Sequence, residues 1–314
     1  MIQNSNKEKS FISAVIYIHN DAERIETSLK QIHDTIAEKF LQFEMICVND
    51  ASTDESVEKI RKFADKISDC TVTILHMGRY HGIELSMGAG VDFSIGDFVF
   101  EFDSLIIDYE SELIWEIYQK ILSGFDIVSA RPQMVKSKGS RLFYWTFNRF
   151  SNGGYTLATE RFRVLSRRAI NRVIASSKAR PYRKALYASS GLKATSIVYK
   201  NKETLDPHSL EQRKDRRNTA VDTLILFTDI AYKISLAFCI LMLIFMLIAG
   251  LYTCFAYFGQ QRPVEGWAPL MGMLSVGFFG VFLILAIVIK YLDVVLKLIF
   301  QRQKYMITSV EKIK

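Results

Sequence analysis

Short apolar runs alternate with segments of helical periodicity through the first part of the chain. Five runs of β-favouring residues, each bounded by polar residues or glycine, predict strands at 13–19, 43–48, 71–75, 98–103 and 125–129. Between the first two runs, apolar residues recur at Ile25, Leu29 and Ile32, which is the spacing of one helix face. This alternation predicts an α/β fold, a doubly wound and mainly parallel sheet.

Three further segments predict helices between the later strands. Ser52 and Glu55 have the spacing of a capping box, so we expect a helix to open there. The segment 82–94 precedes the fourth strand and predicts a helix. A helix that begins near Leu113 is expected to stop at Gly124, because glycine commonly follows a helix C-terminus.

The C-terminal part has a different pattern. No charged residue occurs at 234–259 or at 266–289, and each run exceeds the roughly 20 residues that span a bilayer. These lengths favour two transmembrane helices over buried core helices. The division is then a domain at 1–218, an interfacial amphipathic helix at 219–233, spans within 234–289 joined by a loop near 260–266, and a tail at 290–314.

Charge adds orientation. Basic residues concentrate before the first span and after the second, whereas the connecting loop holds only Arg262 and Glu265. We therefore expect a multi-pass protein of the inner (plasma) membrane. By the positive-inside rule, both its N-terminal domain and its tail lie on the cytoplasmic side. The first ten residues are polar, so an exported domain is not expected. The net charge of +7 fits an anionic membrane surface better than nucleic acid, since no nucleic-acid motif accompanies it.

Polar residues follow several of the predicted strands. His19, Asn20 and Asp21 follow the first strand, Asp50 follows the second, and Asp103 ends the fourth. Ligands of such sheets bind beyond the carboxyl ends of the strands, where these residues would meet. The pattern suits a base and ribose beside a metal-bound diphosphate. Taken singly, Asp21 fits a helix N-terminus equally well.

Five motifs occur together in a recognisable order: AVIYIHND, ICVNDASTDES, RYHGIELSMGAGVDFSIGDFVFEFDSLIIDYE, GFDIVSAR and RFRVLSRRAI. In order and spacing the chain resembles membrane-bound family 2 glycosyltransferases. More narrowly, it resembles polyprenyl-phosphate sugar transferases similar to dolichol-phosphate mannose synthase. The resemblance implies a GT-A (Rossmann-like) fold that moves a hexose from a nucleotide-diphosphate sugar to polyprenyl (undecaprenyl) phosphate.

The resemblance also implies roles for individual residues. The nucleotide sugar would be bound by Tyr17, His19, Asp21, Asp50, Gly82 and Asp103. Within this set Asp50 would hold the base or ribose, Gly82 would let the backbone approach the donor, and Asp103 would bind Mg²⁺ or Mn²⁺ as the first residue of an Asp-x-Asp motif. The catalytic group would be Asp103 with Arg131 near the phosphates and Arg163 at the Phe-Arg position.

Several positions depart from the family pattern. Leu105 replaces the second Asp of Asp-x-Asp, which removes one expected metal ligand. Three compensations are open: Asp108 swings in, Glu101 serves from the same strand face, or Arg161 and Arg131 replace the charge of the metal. Arg161 alternatively lies at the surface without a ligand.

The acceptor side has a basic cluster. Arg213, Arg216 and Arg217 precede the amphipathic segment and are candidates for binding the lipid phosphate. The alternative is an ordinary positive-inside flank. Because two spans are few for enclosing a lipid acceptor, a homo-oligomer is also expected.

Two functions remain open at this point. One is an active hexosyltransferase for surface glycan synthesis or modification. The other is a catalytically silent relative that acts as a binding or assembly partner in glycan synthesis, which the altered positions favour. A channel or carrier is disfavoured, because neither span contains an ionisable residue other than tyrosine or cysteine that would mark a pathway.

Overall fold

The structure is a computed structural model that describes residues 7–133, 138–150, 156–176, 182–202, 217–224, 267–300 and 305–313, with isolated positions between 228 and 251. The chain divides into two units. The first comprises Met1–Ala220 and Gln303–Lys314, and the second comprises Val221–Arg302.

The first unit is built on an eight-stranded sheet. Its strands are β1 (Ile12–Ile18), β2 (Phe43–Asn49), β3 (Thr71–Met77), β4 (Phe98–Phe102), β5 (Ile127–Pro132), β6 (Phe162–Ser166), β7 (Ala194–Tyr199) and β8 (Ile307–Lys312). The spatial order is β7-β5-β6-β4-β1-β2-β3-β8. The five predicted strands are β1 to β5. Their side chains are buried on both faces, as expected for a parallel sheet covered by helices.

The helices flank this sheet. They are α1 (Ala22–Lys39), α2 (Ser56–Lys66), α3 (Ile83–Phe93), α4 (Glu112–Leu122), α5 (Lys138–Phe150), α6 (Arg167–Ser176) and α7 (Arg183–Ser189). The predicted capping box is wrong, since α2 begins after Glu55. Ser52 instead accepts a hydrogen bond from the Asn20 amide, and the Asp54 carboxylate accepts hydrogen bonds from the amides of Ala22 and Ser56.

Strand β6 is the main departure from a simple parallel sheet. It runs antiparallel to both β4 and β5 and lies between them. Because it is antiparallel, its first residues lie at the sheet edge where β4 and β5 end. Arg163 on β6 is opposite Glu101 on β4.

Strand β8 closes the other side of the sheet. Residues 307–312, within the predicted tail at 290–314, pair antiparallel with β3. Arg61 of α2 holds this strand through both carboxylate oxygens of Glu311, at 2.8 and 2.9 Å. The chain therefore leaves the first unit and returns to it.

The second unit contains α8 (Trp267–Phe300), in which Lys290 pairs with Asp222 at 2.8 Å. Among the residues described, none of the helices has both the length and the apolar character that crossing a membrane requires. The two predicted spans are therefore not confirmed. Most of 234–259, the loop near 260–266, and both Arg213 and Arg216 lie outside the described residues.

Candidate functional site

The loops after β1 and β2 are locked to each other by backbone and side-chain hydrogen bonds. Asn20 and Ala51, which follow these strands closely, both have left-handed backbone conformations, with φ of 53° and 52°. The Asn20 side chain accepts a hydrogen bond from the Thr53 amide at 2.8 Å. Non-glycine residues adopt this conformation rarely, and they concentrate at functional sites. This rim of the sheet is thus a fixed surface.

Asp50 organises the turn that leads into α3. One carboxylate oxygen accepts a hydrogen bond from the His81 amide at 2.8 Å, and the other accepts from the Gly82 amide at 2.9 Å and from the Tyr17 hydroxyl at 3.0 Å. Gly82 has φ of 78°, which favours glycine. Asp50 is fully buried. It therefore holds protein groups, which differs from the expectation that it binds a base or ribose.

The other predicted nucleotide residues lie around this turn. The His19 ring is hydrogen-bonded through Nδ1 to the Asp50 carbonyl at 2.6 Å and lies 4.7 Å from the ring of Tyr80. Tyr17 is buried beneath them. Asp21 pairs with Arg24 at 3.1 Å, while burial raises the pKa of Asp21. His19 thus links the end of β1 to the loop after β2.

Two carboxylates and two guanidinium groups form a square at the end of β4. Glu101 and Asp103 are two residues apart, so they point to the same side of the sheet. Arg163 contacts Glu101 through Nη1 and donates to Asp103 through Nη2 at 2.7 Å. Arg183, from α7, contacts the same two carboxylates at 2.7 and 2.8 Å. Each guanidinium group therefore bridges both carboxylates.

Further groups surround the square. Glu160 accepts from Arg163 at 3.0 Å, Glu84 accepts from Arg183 at 3.3 Å, and the Tyr187 hydroxyl donates to Glu101 at 2.9 Å. The two arginine side chains are only 1% exposed. We call this set the Asp103 cluster; its members are Glu84, Glu101, Asp103, Glu160, Arg163, Arg183, Lys184 and Tyr187.

The electrostatics of Asp103 follow from this cluster. Burial alone would raise its pKa, but the positive charges of Arg163, Arg183 and Lys184 outweigh burial and hold the pKa of Asp103 well below the ordinary carboxyl value. Asp103 is therefore an ionised carboxylate whose two oxygens already have cationic partners.

Leu105 occupies the position of the second Asp of the Asp-x-Asp motif and is part of the core. Leu105 is 2% exposed in the apolar core, and its carbonyl accepts a hydrogen bond from Ser28 at 2.7 Å. Asp108 is buried and receives two hydrogen bonds from Arg161, at 3.1 and 2.6 Å, and one from Tyr199 at 2.7 Å. Neither residue reaches Asp103 as a substitute ligand. Arg161 has a structural partner and is not an isolated surface residue.

The described residues of the Asp103 cluster do not fit a divalent cation. Mg²⁺ requires oxygen ligands in near-octahedral geometry. Here each oxygen of Asp103 contacts a guanidinium group, and Glu101 is engaged by the same two groups. A metal ion would have to displace a buried arginine, which leaves an uncompensated charge. Asp108 and Glu101 are both engaged by arginines and supply no second ligand, and Arg161 pairs with Asp108 instead of replacing the charge of a metal.

A separate group of possible metal ligands lies on another part of the sheet domain. His33, Asp69 and Cys70 have ligand atoms within 4.8 Å of one another. His33 is already bonded through Nε2 to Asp69 at 2.8 Å and through Nδ1 to Asp34 at 3.0 Å. Burial raises the pKa of Cys70 to about 12, so its thiol is protonated at neutral pH. These features describe a structural contact between α1 and the start of β3.

Some candidate residues come together and others do not. Arg163 lies beside Asp103, as expected for neighbouring catalytic positions, whereas Arg131 is exposed on β5 with β6 between it and β4. Arg217 is exposed. Sequence reasoning missed Arg183 and Lys184. A signal was available, because two carboxylates on one face of a buried strand need counter-charges.

Comparison with known proteins identifies the family and the fold of the chain. Residues 13–189, more than half of the chain, match the family described as "Glycosyl transferase family 2". An uncharacterized glycosyltransferase, sll0501, of Synechocystis is 26% identical over 60% of this chain and 60% of its own length. A prophage bactoprenol glucosyl transferase homolog of Escherichia coli is 26% identical over 62% of this chain and 64% of its own length. The chain therefore spans less than two thirds of the length of either relative.

Among solved structures, the mannosyltransferase PcManGT of Pyrobaculum calidifontis, in complex with GDP-Man and Mn²⁺, has a TM-score of 0.51 and 14% identity. The match covers 94% of this chain and 89% of that one. Similarity at this level of identity shows the fold, and the expected GT-A architecture is confirmed. With the family match over β1 to α7, these findings show that the chain belongs to glycosyl transferase family 2.

Proposed function

We propose that the protein transfers a hexose from a nucleotide-diphosphate sugar to polyprenyl phosphate, for surface glycan synthesis or modification. The observation that carries this proposal is the position of Asp103. It lies at the carboxyl end of β4, where α/β sheets bind ligands, within 2.8 Å of Arg163 and Arg183. The polyprenyl acceptor is supported by the relative named for bactoprenol glucosyl transfer.

The transfer reaction does not require a general base. An oxygen of the ionised acceptor phosphate attacks the anomeric carbon of the hexose and forms a new C–O bond. The bond from that carbon to the donor diphosphate breaks, and its electron pair leaves with the nucleoside diphosphate. No proton must be removed from the acceptor, so positioning and stabilisation of the departing charge are the main requirements.

The apolar surface of the second unit supports the proposal of a membrane location. Side chains along α8 such as Leu274, Phe278 and Phe282 are more than half exposed, which an aqueous surface disfavours. The chain leaves the first unit after Ala220 and rejoins it at Gln303. An anchor within Val221–Arg302 therefore starts and ends on one side of the bilayer, as the two spans expected at 234–259 and 266–289 would.

Helix α5 supplies a second apolar surface, on the first unit. Leu142 and Trp145 are 65% and 63% exposed on one helix face, flanked by the exposed Arg141 and Arg149. Tryptophan beside arginine is typical of helices that lie at an anionic bilayer surface. Contact of α5 with anionic lipid headgroups would hold the sheet domain close to a lipid-borne acceptor.

A catalytically silent relative is the second candidate. It is favoured by the saturation of Asp50 and Asp103 with protein partners. To separate the two, membranes that contain the protein are incubated with labelled UDP-, GDP- and dTDP-hexoses and undecaprenyl phosphate, with and without Mn²⁺. A labelled lipid product supports the transferase. Absence of product from every donor, with an active relative working in parallel, supports the silent protein.

A further inference from the structure

Among the described residues of the Asp103 cluster, Lys184 is the cation whose side chain is least covered. Asp103 and Lys184 retain 11% and 10% of their side-chain surface, whereas Arg163 and Arg183 are almost completely covered. An incoming ligand would therefore meet Lys184 first. This ammonium group lies 3.6 Å from Asp103, which is longer than a hydrogen bond.

Arg183 fixes the position of this lysine. Arg183 precedes Lys184 on α7, and its guanidinium group is fixed to Glu84, Glu101 and Asp103. The start of α7 is also held, because the Arg183 amide donates to Glu84 at 2.8 Å. Lys184 is thus placed beside Asp103 by a rigid support, while its own donors are not committed to that carboxylate.

We infer that this site works without a divalent cation, and that the ammonium group of Lys184 contacts the diphosphate of the donor where a metal ion would otherwise lie. The inference rests on the proposed function, since it concerns how the same donor is bound. A lysine provides a point charge suited to phosphate oxygens. Asp103 then acts as a positioning residue for the cations and is not a metal ligand.

A nucleotide-binding experiment tests the inference apart from turnover. The full chain in detergent is treated with EDTA, and binding of UDP, GDP, dTDP and CDP is measured by calorimetry before and after addition of Mn²⁺. For the nucleotide that binds best, we expect the Kd to change by less than about twofold. Loss of about tenfold or more in EDTA that Mn²⁺ restores would overturn the inference and leave the proposed function standing.

Variants identify the cation. Lys184→Gln is expected to weaken binding about tenfold, as loss of a charged hydrogen bond does, and Lys184→Arg to retain most of it. Lys193→Gln, at an exposed lysine before β7, is the matched control and should bind like the parent. Thermal unfolding of each variant checks the fold. Equal binding by Lys184→Gln and the parent would contradict the assignment.

Electron paramagnetic resonance of Mn²⁺ adds a readout that does not depend on affinity. With nucleotide present, we expect the Mn²⁺ spectrum to be the same for the parent and for Asp103→Asn. A protein-bound signal that this variant removes would show that Asp103 is a metal ligand after all. If none of the nucleotides binds under either condition, the proposed function fails together with the inference, which is a different result from metal-dependent binding.

Discussion

Arg183 donates a hydrogen bond of 2.8 Å to Asp103 across 80 residues of sequence. Asp103 is the carboxylate that the Asp-x-Asp motif identifies, and Arg183 comes from a short helix that is not among the five motifs recognised in the sequence. The contact turns a predicted metal ligand into one partner of a buried ion-pair network. The following predictions depend on this network and on the sheet that supports it.

Replacing Arg163 removes the centre of the network. Arg163→Met leaves Glu101 and Glu160 buried with fewer cationic partners, which typically costs about 3–5 kcal/mol in unfolding free energy. Chemical denaturation measures the loss. Lys66→Met breaks an exposed pair with Glu26 and should destabilise the protein far less, because solvent screens exposed pairs. Equal losses in the two variants would show that the network is not stabilising.

Restoring the motif in sequence should not restore a metal site. Leu105→Asp places a carboxylate in the apolar core, at a cost of several kcal/mol, because the group is buried without a partner. Leu105→Asn carries a similar volume without the charge and serves as the comparison. Thermal unfolding and Mn²⁺ titration measure both effects. A well-folded Leu105→Asp variant with new Mn²⁺ binding would contradict the position of Leu105 in the structure.

The attachment of β8 should depend on pH. Hydrogen bonds from Arg61, and then from His76, lower the pKa of Glu311 from 4.5 to about 2. A carboxylate whose pKa is lower in the folded state than in the unfolded state stabilises the protein at pH values above its unfolded-state pKa. This stabilisation is lost as the pH falls toward the folded-state pKa, so the contribution of Glu311 declines between about pH 4.5 and pH 2. The protection factors of the β8 amides against hydrogen exchange, which correct for the pH dependence of intrinsic exchange, should fall over that range. Glu311→Gln should remove the dependence; a dependence that persists in this variant would assign it to other groups.

Contact of α5 with lipid can be detected through Trp145. Brominated lipids should quench its fluorescence in full-length protein reconstituted into anionic bilayers, and Trp145→Phe should remove that part of the quenching. Arg141→Gln, on the same face, should weaken it in anionic lipid and have little effect in zwitterionic lipid. Quenching that is identical in the parent and Trp145→Phe would exclude α5 from the bilayer surface.

The sequence predicts much of the sheet because β1 to β5 are buried runs with clear boundaries. Prediction from sequence fails where contacts between residues far apart in the chain determine the local structure. Ser52 and Glu55 have the sequence spacing of a capping box, yet in the structure the Ser52 hydroxyl accepts a hydrogen bond from the backbone amide of Asn20. The sequence does not predict strand β6, because a short segment that contains Arg163 resembles a charged surface segment. Only the structure shows that Glu101 and Asp103 lie beside Arg163 and balance its charge.

The site shows the same division. The motif identifies Asp103, and its neighbour Leu105 indicates an altered metal site. Neither indicates which group balances the charge, because Arg183 and Lys184 reach Asp103 only after α7 has packed beside β4. The resemblance implied that Arg131 lies near the phosphates, but the insertion of β6 separates β5 from β4.

The pairing of β3 with β8 has a consequence for how the protein is made. His76 and Glu311 contact each other although 235 residues separate them. During translation β3 therefore emerges long before its partner, and its outer edge stays unpaired while the whole second unit is synthesised and reaches its final environment. An open strand edge invites pairing with other chains. Nascent chains halted before residue 307 should therefore associate with one another or with chaperones, because this edge of the sheet is covered only after β8 has been synthesised.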